Sequence, residues 1–180
     1  SQLAQAQSLT TSGFSSQTST IGTGTSTKVT ITLGTITGGT LTDGKFSGAS
    51  FAANASSSPI NLTNDSTNNS LTGIRDAINA QNGDAVATIV NDGSGTPYRL
   101  VLTSKTTGQN MSMKVDVAAG GDPTVTNLLA NDPTGTQNLT QTSAAQNANL
   151  TINGLAVTSA TNTVTKSVTG VTLNLTKVGS

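Results

Sequence analysis

The stretch SLTGIRDAINAQNGDAVATIVNDGSGTPYRLVLT, residues 70–103, decides the fold class, because it contains a helix pattern followed by two strand patterns. Apolar residues recur there at helical spacing, namely Leu71, Ile74, Ala77 and Ile78. Ser70 stands before them as a candidate N-cap, and Gly83 follows where a helix would end. The pattern predicts one short helix over residues 71–82.

Two strands are predicted directly after this helix. Apolar and polar residues alternate over residues 85–90 and again over residues 98–103. Between them lie the turn-forming residues 91–95, which include two glycines. This order predicts a β-hairpin with a Gly-bearing loop.

Strand patterns also occur on both sides of this region. Apolar residues alternate with polar ones over residues 28–33 and 111–117, which places one face of each strand in a core. Near the end, Asn153-Gly154 separates two apolar segments as a two-residue hairpin turn, and residues 171–175 form a last strand. The sequence therefore predicts a mainly β protein with one short helix, a β-rich member of the α+β class.

Three segments give weaker signals. Residues 34–69 are predicted to be loose, with turns at Gly38-Gly39 and Asp43-Gly44 and one short strand near the end. Residues 131–143 are polar and turn-rich, which is typical of a linker or a long surface crossing. Residues 1–12 are too short to decide between helix and strand by period, so both stay open.

The composition excludes several classes of partner. Charged residues make up 9% of the chain and the formal net charge is zero, against about 25% charged residues in an ordinary domain. The basic residues are scattered and aromatic residues make up 2%, so we expect no nucleic-acid partner. No apolar run approaches the roughly 18 residues that span a bilayer, so we expect no membrane partner. The alternating strand patterns argue against disorder of this polar chain.

Catalysis is not expected either. The sequence contains no His and no Cys, which removes the commonest general base and the thiolate nucleophile. Ser104-Lys105 could form a catalytic pair, but neighbouring strand residues point to opposite faces. The loops at residues 92–95 and 22–24 lack the ligand spacing of a calcium loop and of a phosphate-binding loop. We therefore predict no catalytic residue, no cofactor, no metal site and no enzyme activity.

Several segments, taken in order, resemble the bacterial flagellar hook-associated protein 2 family, the filament cap proteins. The resemblance lies in residues 3–7, 70–79, 87–93 and 98–104, and in residues 144–154 and 170–175, which are similar to the hook-type IN motif. Residues 34–69 and 119–142 do not match the family pattern. The chain begins without Met and in the middle of a pattern, which is typical of a fragment.

The resemblance implies two small antiparallel-sheet domains, one inserted in the other. Residues 1–20 plus 143–180 would form a discontinuous β domain with the hook-type IN motif. Residues 21–142 would form the inserted β-rich domain that contains the helix at residues 71–82. Coiled-coil termini would lie outside this sequence, which would then be the outer domain pair.

The resemblance also implies a function. Family members are secreted structural components of the cap at the extracellular tip of the flagellum, where they assist insertion and polymerisation of exported flagellin. The implied partners are copies of the protein itself in a ring-shaped homo-oligomer, flagellin and neighbouring hook-associated proteins. An alternative stays open, in which the piece is an adhesin module that binds host mucin or glycans.

Overall fold

A computed structural model describes residues 1–178 of the chain. These residues are mainly β and their sheets are antiparallel, which confirms the predicted class. The elements are β1 (Ser8–Thr10), β2 (Thr27–Thr42), β3 (Lys45–Ala53), β4 (Ile60–Asn64), α1 (Leu71–Ala80), β5 (Ala85–Asn91), β6 (Tyr98–Ser104), a 3-10 turn (Gln109–Met111), β7 (Ser112–Val117), α2 (Pro123–Leu129), β8 (Thr140–Ser143), β9 (Ala148–Ile152), β10 (Leu155–Ser159), β11 (Thr163–Val168) and β12 (Val171–Asn174).

The first sheet has the strand order β5-β6-β1-β8. Strands β5 and β6 form the predicted hairpin, with Ala85 opposite Ser104 and Asn91 opposite Tyr98. Strand β1 lies between β6 and β8, so that Leu9 is opposite Leu102 on one side and Gln141 on the other. The open question about residues 1–12 is thereby settled in favour of a strand.

The second sheet is built on the long strand β2. Its first half pairs with β4 and with β7, and its second half pairs with β3. The prediction that residues 34–69 are loose is wrong for residues 34–53, because β2 continues to Thr42 and turns into β3. The predicted turn at Asp43-Gly44 and the predicted short strand, which is β4, are present. Gly38-Gly39 is not a chain reversal but lies within β2 at φ values of 65° and 73°. These left-handed glycines interrupted the apolar alternation from which a strand is recognised.

Helix α1 begins as predicted. The Ser70 hydroxyl accepts a hydrogen bond of 3.1 Å from the Gly73 N–H, and the apolar stripe of the helix is buried. The helix ends at Ala80 rather than at residue 82, because Asn82 takes a left-handed φ of 51°. Gly83 serves packing instead: a Cβ there would lie 2.2 Å from Ile60 Cγ1.

A second helix, α2, was not predicted. Asp122 caps it through a 2.8 Å hydrogen bond from the Thr124 N–H, and a proline occupies its first turn. Of the two interpretations of residues 131–143, a linker or a long surface crossing, the linker is wrong. Asn131 exchanges backbone hydrogen bonds with Val115, Leu139 is buried, and β8 completes the first sheet.

One apolar core joins both helices to both sheets. It extends along the chain from Leu9 to Leu139. The C-terminal hairpins, β9–β10 and β11–β12, are built differently. The predicted Asn153-Gly154 turn joins β9 to β10, but beyond residue 143 the described chain buries only two apolar side chains, Ala148 and Val164.

The N-terminal segment links the core to the C-terminal hairpins. Gln2 exchanges backbone hydrogen bonds of 2.9 and 3.0 Å with Asn149, and Gln5 exchanges bonds of 2.9 and 3.2 Å with Gln146. Strand β1 belongs instead to the first sheet. The division into two domains, with residues 1–20 plus 143–180 in one and residues 21–142 in the other, stays a prediction.

Candidate interaction surfaces

The sites where catalysis was considered are engaged in structural contacts. Ser104 is buried, its hydroxyl accepts a 3.0 Å hydrogen bond from the Gln7 N–H, and it donates to the Thr106 carbonyl at 3.1 Å. The side chain of Lys105 is exposed. A buried hydroxyl that joins two backbone groups has a structural task, and neither of these two partners is a base.

The loop at residues 92–95 is closed by its own side chains. One carboxylate oxygen of Asp92 accepts a 2.5 Å hydrogen bond from Arg99 Nε, and the other accepts a 2.9 Å bond from the Ser94 N–H. The hydrogen bond from Arg99 and those from Ser94 hold the pKa of Asp92 well below its usual range. With both oxygens engaged, the loop does not have the geometry of a calcium site.

The loop at residues 22–24 does hold an anion, which is the carboxylate of Asp122. Thr23 donates to Asp122 Oδ2 from its N–H at 2.5 Å and from its hydroxyl at 2.8 Å. Gly22 has a φ of 70°, and a Cβ there would lie 2.3 Å from the same oxygen. Sequence reasoning missed this contact, although Asp122-Pro123 has the residue types of a helix start.

No other feature of the described residues indicates a chemical site. Within residues 1–178 there is no group of three or more His, Cys, Asp or Glu side chains that could hold a metal ion. None of the helices in this range is long and apolar enough to cross a membrane.

A groove of about 600 Å³ lies along the outer face of the first sheet. Its apolar floor includes Val90 and Val101, and its polar side chains include Lys45, Asp92 and Arg99. None of its lining side chains is aromatic. Ligand pockets usually have an apolar and aromatic lining, so this groove is a weak candidate for a glycan site.

Strand edges are the most distinctive surfaces of this chain. At two sheet edges a side-chain amide hydrogen-bonds both the N–H and the C=O of one backbone residue, an arrangement that we call an amide cap. Asn79 caps Ala87 of β5 at 2.8 and 2.9 Å, and Gln137 caps Phe46 of β3 at 2.6 and 2.8 Å.

The same geometry recurs outside the two main sheets and, in part, on β7. Asn162 caps Ala4 at 2.8 and 3.0 Å, which ties the N-terminal segment to the C-terminal hairpins. Buried Gln7 accepts from the Met113 N–H of β7 at 2.5 Å. Charged side chains are a common protection of an exposed edge. In this chain, with 9% charged residues, neutral amides occupy these edge positions.

The C-terminal hairpins form the most apolar exposed surface. Leu155 is 72% exposed, and Val168, Val171 and Val178 are also exposed. Two-stranded hairpins with so little buried surface are marginally stable alone. This part of the chain has the character of a contact surface.

Comparison with known proteins accounts for this architecture. The crystal structure of the D2–D3 domains of the flagellar cap protein FliD from Escherichia coli superposes on 100% of this chain and on 80% of that chain, with a TM-score of 0.81 and 32% identity. The chain belongs to the flagellar hook-associated protein 2 family. Residues 145–180 match the model of this family's C-terminus, described as "Flagellar hook-associated protein 2 C-terminus".

Other hook-associated protein 2 relatives agree. Flagellar hook-associated protein 2 of Escherichia coli K12 is 34% identical over 163 residues, which are 90% of this chain and 30% of that protein. The protein of the same name from Salmonella typhimurium is 38% identical over 120 residues, which are 66% of this chain and 25% of that protein. The chain thus spans less than a third of these two relatives, which are both named flagellar hook-associated protein 2. The names do not favour the adhesin alternative.

Proposed function

We propose that this hook-associated protein 2 segment forms the outer domain pair of a flagellar filament cap, at the extracellular tip of the flagellum. There it assists the insertion and polymerisation of exported flagellin. The observation that carries the proposal is the superposition of the whole chain on the D2–D3 domains of the E. coli cap protein. The two domains proposed are a discontinuous one at the chain ends and an inserted one between them.

The proposed partners are other copies in a ring, flagellin and neighbouring hook-associated proteins. A cap that moves as subunits are added needs contacts that form and release, which favours polar surfaces over a large apolar interface. The surface described here is of that kind, since it is neutral, rich in Thr and Asn, and has few exposed apolar side chains before residue 144. The exposed C-terminal hairpins are the better candidates for permanent contacts with the rest of the protein.

The proposed mechanism requires no chemical catalysis. The hydroxyl and carboxylate groups that sequence reasoning weighed for chemistry, those of Ser104 and Asp92, are both engaged in hydrogen bonds within the chain. The chain's task would be mechanical: to contribute folded sheets to the cap while exported flagellin subunits are inserted.

A chimera tests this proposal. The matching segment of E. coli flagellar hook-associated protein 2 is replaced by residues 1–180, and the chimera is produced in cells that lack their own cap protein. We expect filaments on the cells by electron microscopy and less flagellin in the medium than from cells without any cap protein. A chimera that is found outside the cell, yet leaves filament length and released flagellin at the level of the cap-less cells, would contradict the proposal.

A further inference from the structure

Strand β5 is an edge of the first sheet, and its free backbone groups can be assigned by alternation. The Asp84 carbonyl accepts from the Lys105 N–H at 2.8 Å, and the Asp92 N–H donates to the Pro97 carbonyl at 2.9 Å. Even-numbered residues of β5 therefore face β6. The N–H and C=O groups of the odd-numbered residues, Ala85, Ala87, Ile89 and Asn91, point away from the sheet.

Asn79 covers only part of this edge. Its amide, on the last turn of α1, closes both outward groups of Ala87 at 2.8 and 2.9 Å. The next outward residue is Ile89, whose backbone groups have no hydrogen-bond partner within residues 1–178. The edge beyond the amide cap is therefore unpaired.

The sequence of β5 is of the kind that pairs with copies of itself. Residues 85–91, AVATIVN, contain no charge, no proline and no glycine, and three of the seven are Val or Ile. Short uncharged segments of high β-propensity on a sheet edge form intermolecular strands unless something blocks them. On β5 the group that occupies the outward N–H and C=O of Ala87 is the Asn79 amide.

We propose that the outer edge of β5 is a self-pairing surface for a second copy of this chain, which Asn79 keeps closed. Antiparallel pairing about a two-fold axis at Thr88 would place Ala87 opposite Ile89 of the second copy. Both of these residues present outward groups, so each pair would exchange two hydrogen bonds. Thr88 would lie opposite Thr88 of the second copy.

The chemistry of the strand favours a second copy as the partner. No charged side chain lies between Ala85 and Asn91, so the pairing meets no like-charge repulsion. Val90, which is 47% exposed, would face Val86 of the second copy across the new strand pair. A two-fold contact of this kind cannot close a ring of more than two copies, so this inference goes beyond the proposed cap function.

The first experiment removes the amide cap. Asn79→Ala is compared with the unaltered chain and with Gln81→Ala, which shortens an exposed side chain at the same end of α1. Sedimentation over a hundredfold concentration range measures self-association, and circular dichroism establishes that each variant is folded. We expect the association constant for dimerisation of Asn79→Ala to exceed that of the unaltered chain by about tenfold or more, because the competing Asn79 hydrogen bonds are lost. Equal sedimentation of all three proteins would overturn the proposal.

Opposite charges introduced at Thr88 distinguish pairing in this register from nonspecific aggregation of a destabilised chain. Thr88 is exposed, so Thr88→Lys and Thr88→Asp are each introduced into the Asn79→Ala chain. Each variant alone should be monomeric, because like charges meet on the two-fold axis, and an equimolar mixture should form dimers. Self-association of either charged variant alone, or no association in the mixture, would show that β5 is not the contact.

Discussion

Asp122 and Thr23 are 99 positions apart in sequence, and the Asp122 carboxylate accepts two hydrogen bonds from Thr23, at 2.5 Å from its N–H and at 2.8 Å from its hydroxyl. The same carboxylate caps α2 through the Thr124 N–H at 2.8 Å. One side chain thus starts a helix and fixes the loop that leads into β2. Asp122 is buried and takes part in none of the ion pairs that the structure records, so its negative charge is stabilised by hydrogen-bond donors alone.

The first prediction concerns acid stability. The hydrogen bonds from Thr23 and then Thr124 hold the pKa of Asp122 at about 2, below its usual 3.8. A carboxyl group whose pKa is lower in the folded than in the unfolded state stabilises the fold above the unfolded pKa. That contribution should be lost as the pH falls from about 4 toward about 2. Melting temperatures measured from pH 6 to pH 2 should therefore fall less steeply below pH 4 for Asp122→Asn than for the unaltered chain.

The matched control for this prediction is Asp43→Asn, which removes one carboxylate from the exposed turn between β2 and β3. It separates the loss of a charge from the loss of the contact with Thr23. Asp122→Asn should also lower the melting temperature at pH 6, because a neutral amide is a weaker acceptor for these donors. Parallel pH profiles for Asp122→Asn and the unaltered chain would refute the assigned role.

The second prediction concerns Gly83, which sequence reasoning placed as a helix terminator. In the structure its backbone needs no left-handed φ, and the obstacle to a side chain is Ile60, whose Cγ1 would lie 2.2 Å from the new Cβ. Gly83→Ala should destabilise the chain by about 1–3 kcal/mol through overpacking. Gly95→Ala, where a Cβ meets open space, should change stability by less than about 0.5 kcal/mol. Urea unfolding of both variants measures the difference, and equal stabilities would rule out the packing explanation.

The third prediction concerns the turn between β9 and β10. Gly154 has a φ of 82° and nothing within 4 Å of an added Cβ, so only its backbone conformation resists substitution. Gly154→Val should cost about 1 kcal/mol or more, because a β-branched residue disfavours the left-handed region. Gly154→Asn should cost less, since Asn tolerates this conformation. Thermal unfolding monitored by circular dichroism provides the comparison, and a Gly154→Val chain that melts like the unaltered one would argue against the turn.

The sequence predicted the elements whose apolar pattern is complete within a short window. Leu71, Ile74 and Ile78 form the buried stripe of α1, and the alternation in β5 and β6 matches a strand with one buried face. In both cases the apolar residues repeat with the period of the element and lie on its buried face. Tertiary contacts therefore change only where the helix or strand begins and ends.

The elements that sequence reasoning missed depend on contacts between distant residues. The second half of β2 and most of β3 are exposed, and Gly38, Gly39 and Gly48 interrupt them, so no apolar alternation marks them as strands. Helix α2 is only seven residues long, too short for a periodic pattern, and Asp122 holds it by binding Thr23. The amide caps are likewise invisible in sequence, because an Asn or Gln that pairs with a distant strand has no local signature.

The fourth prediction concerns the cap that Gln137 places on β3. Its amide accepts from the Phe46 N–H at 2.6 Å and donates to the Phe46 C=O at 2.8 Å, which fixes the exposed end of the β2–β3 hairpin. Gln137→Ala removes both bonds, so the Phe46 amide should exchange with deuterium markedly faster while the core amides of β6 stay unchanged. Gln137→Glu keeps an acceptor for the Phe46 N–H but loses the donor. Its Phe46 amide should therefore exchange at a rate between those of the unaltered chain and of Gln137→Ala. If Gln137→Ala leaves the exchange of Phe46 unaltered, another contact holds this hairpin, and neutral amides do not protect the edge.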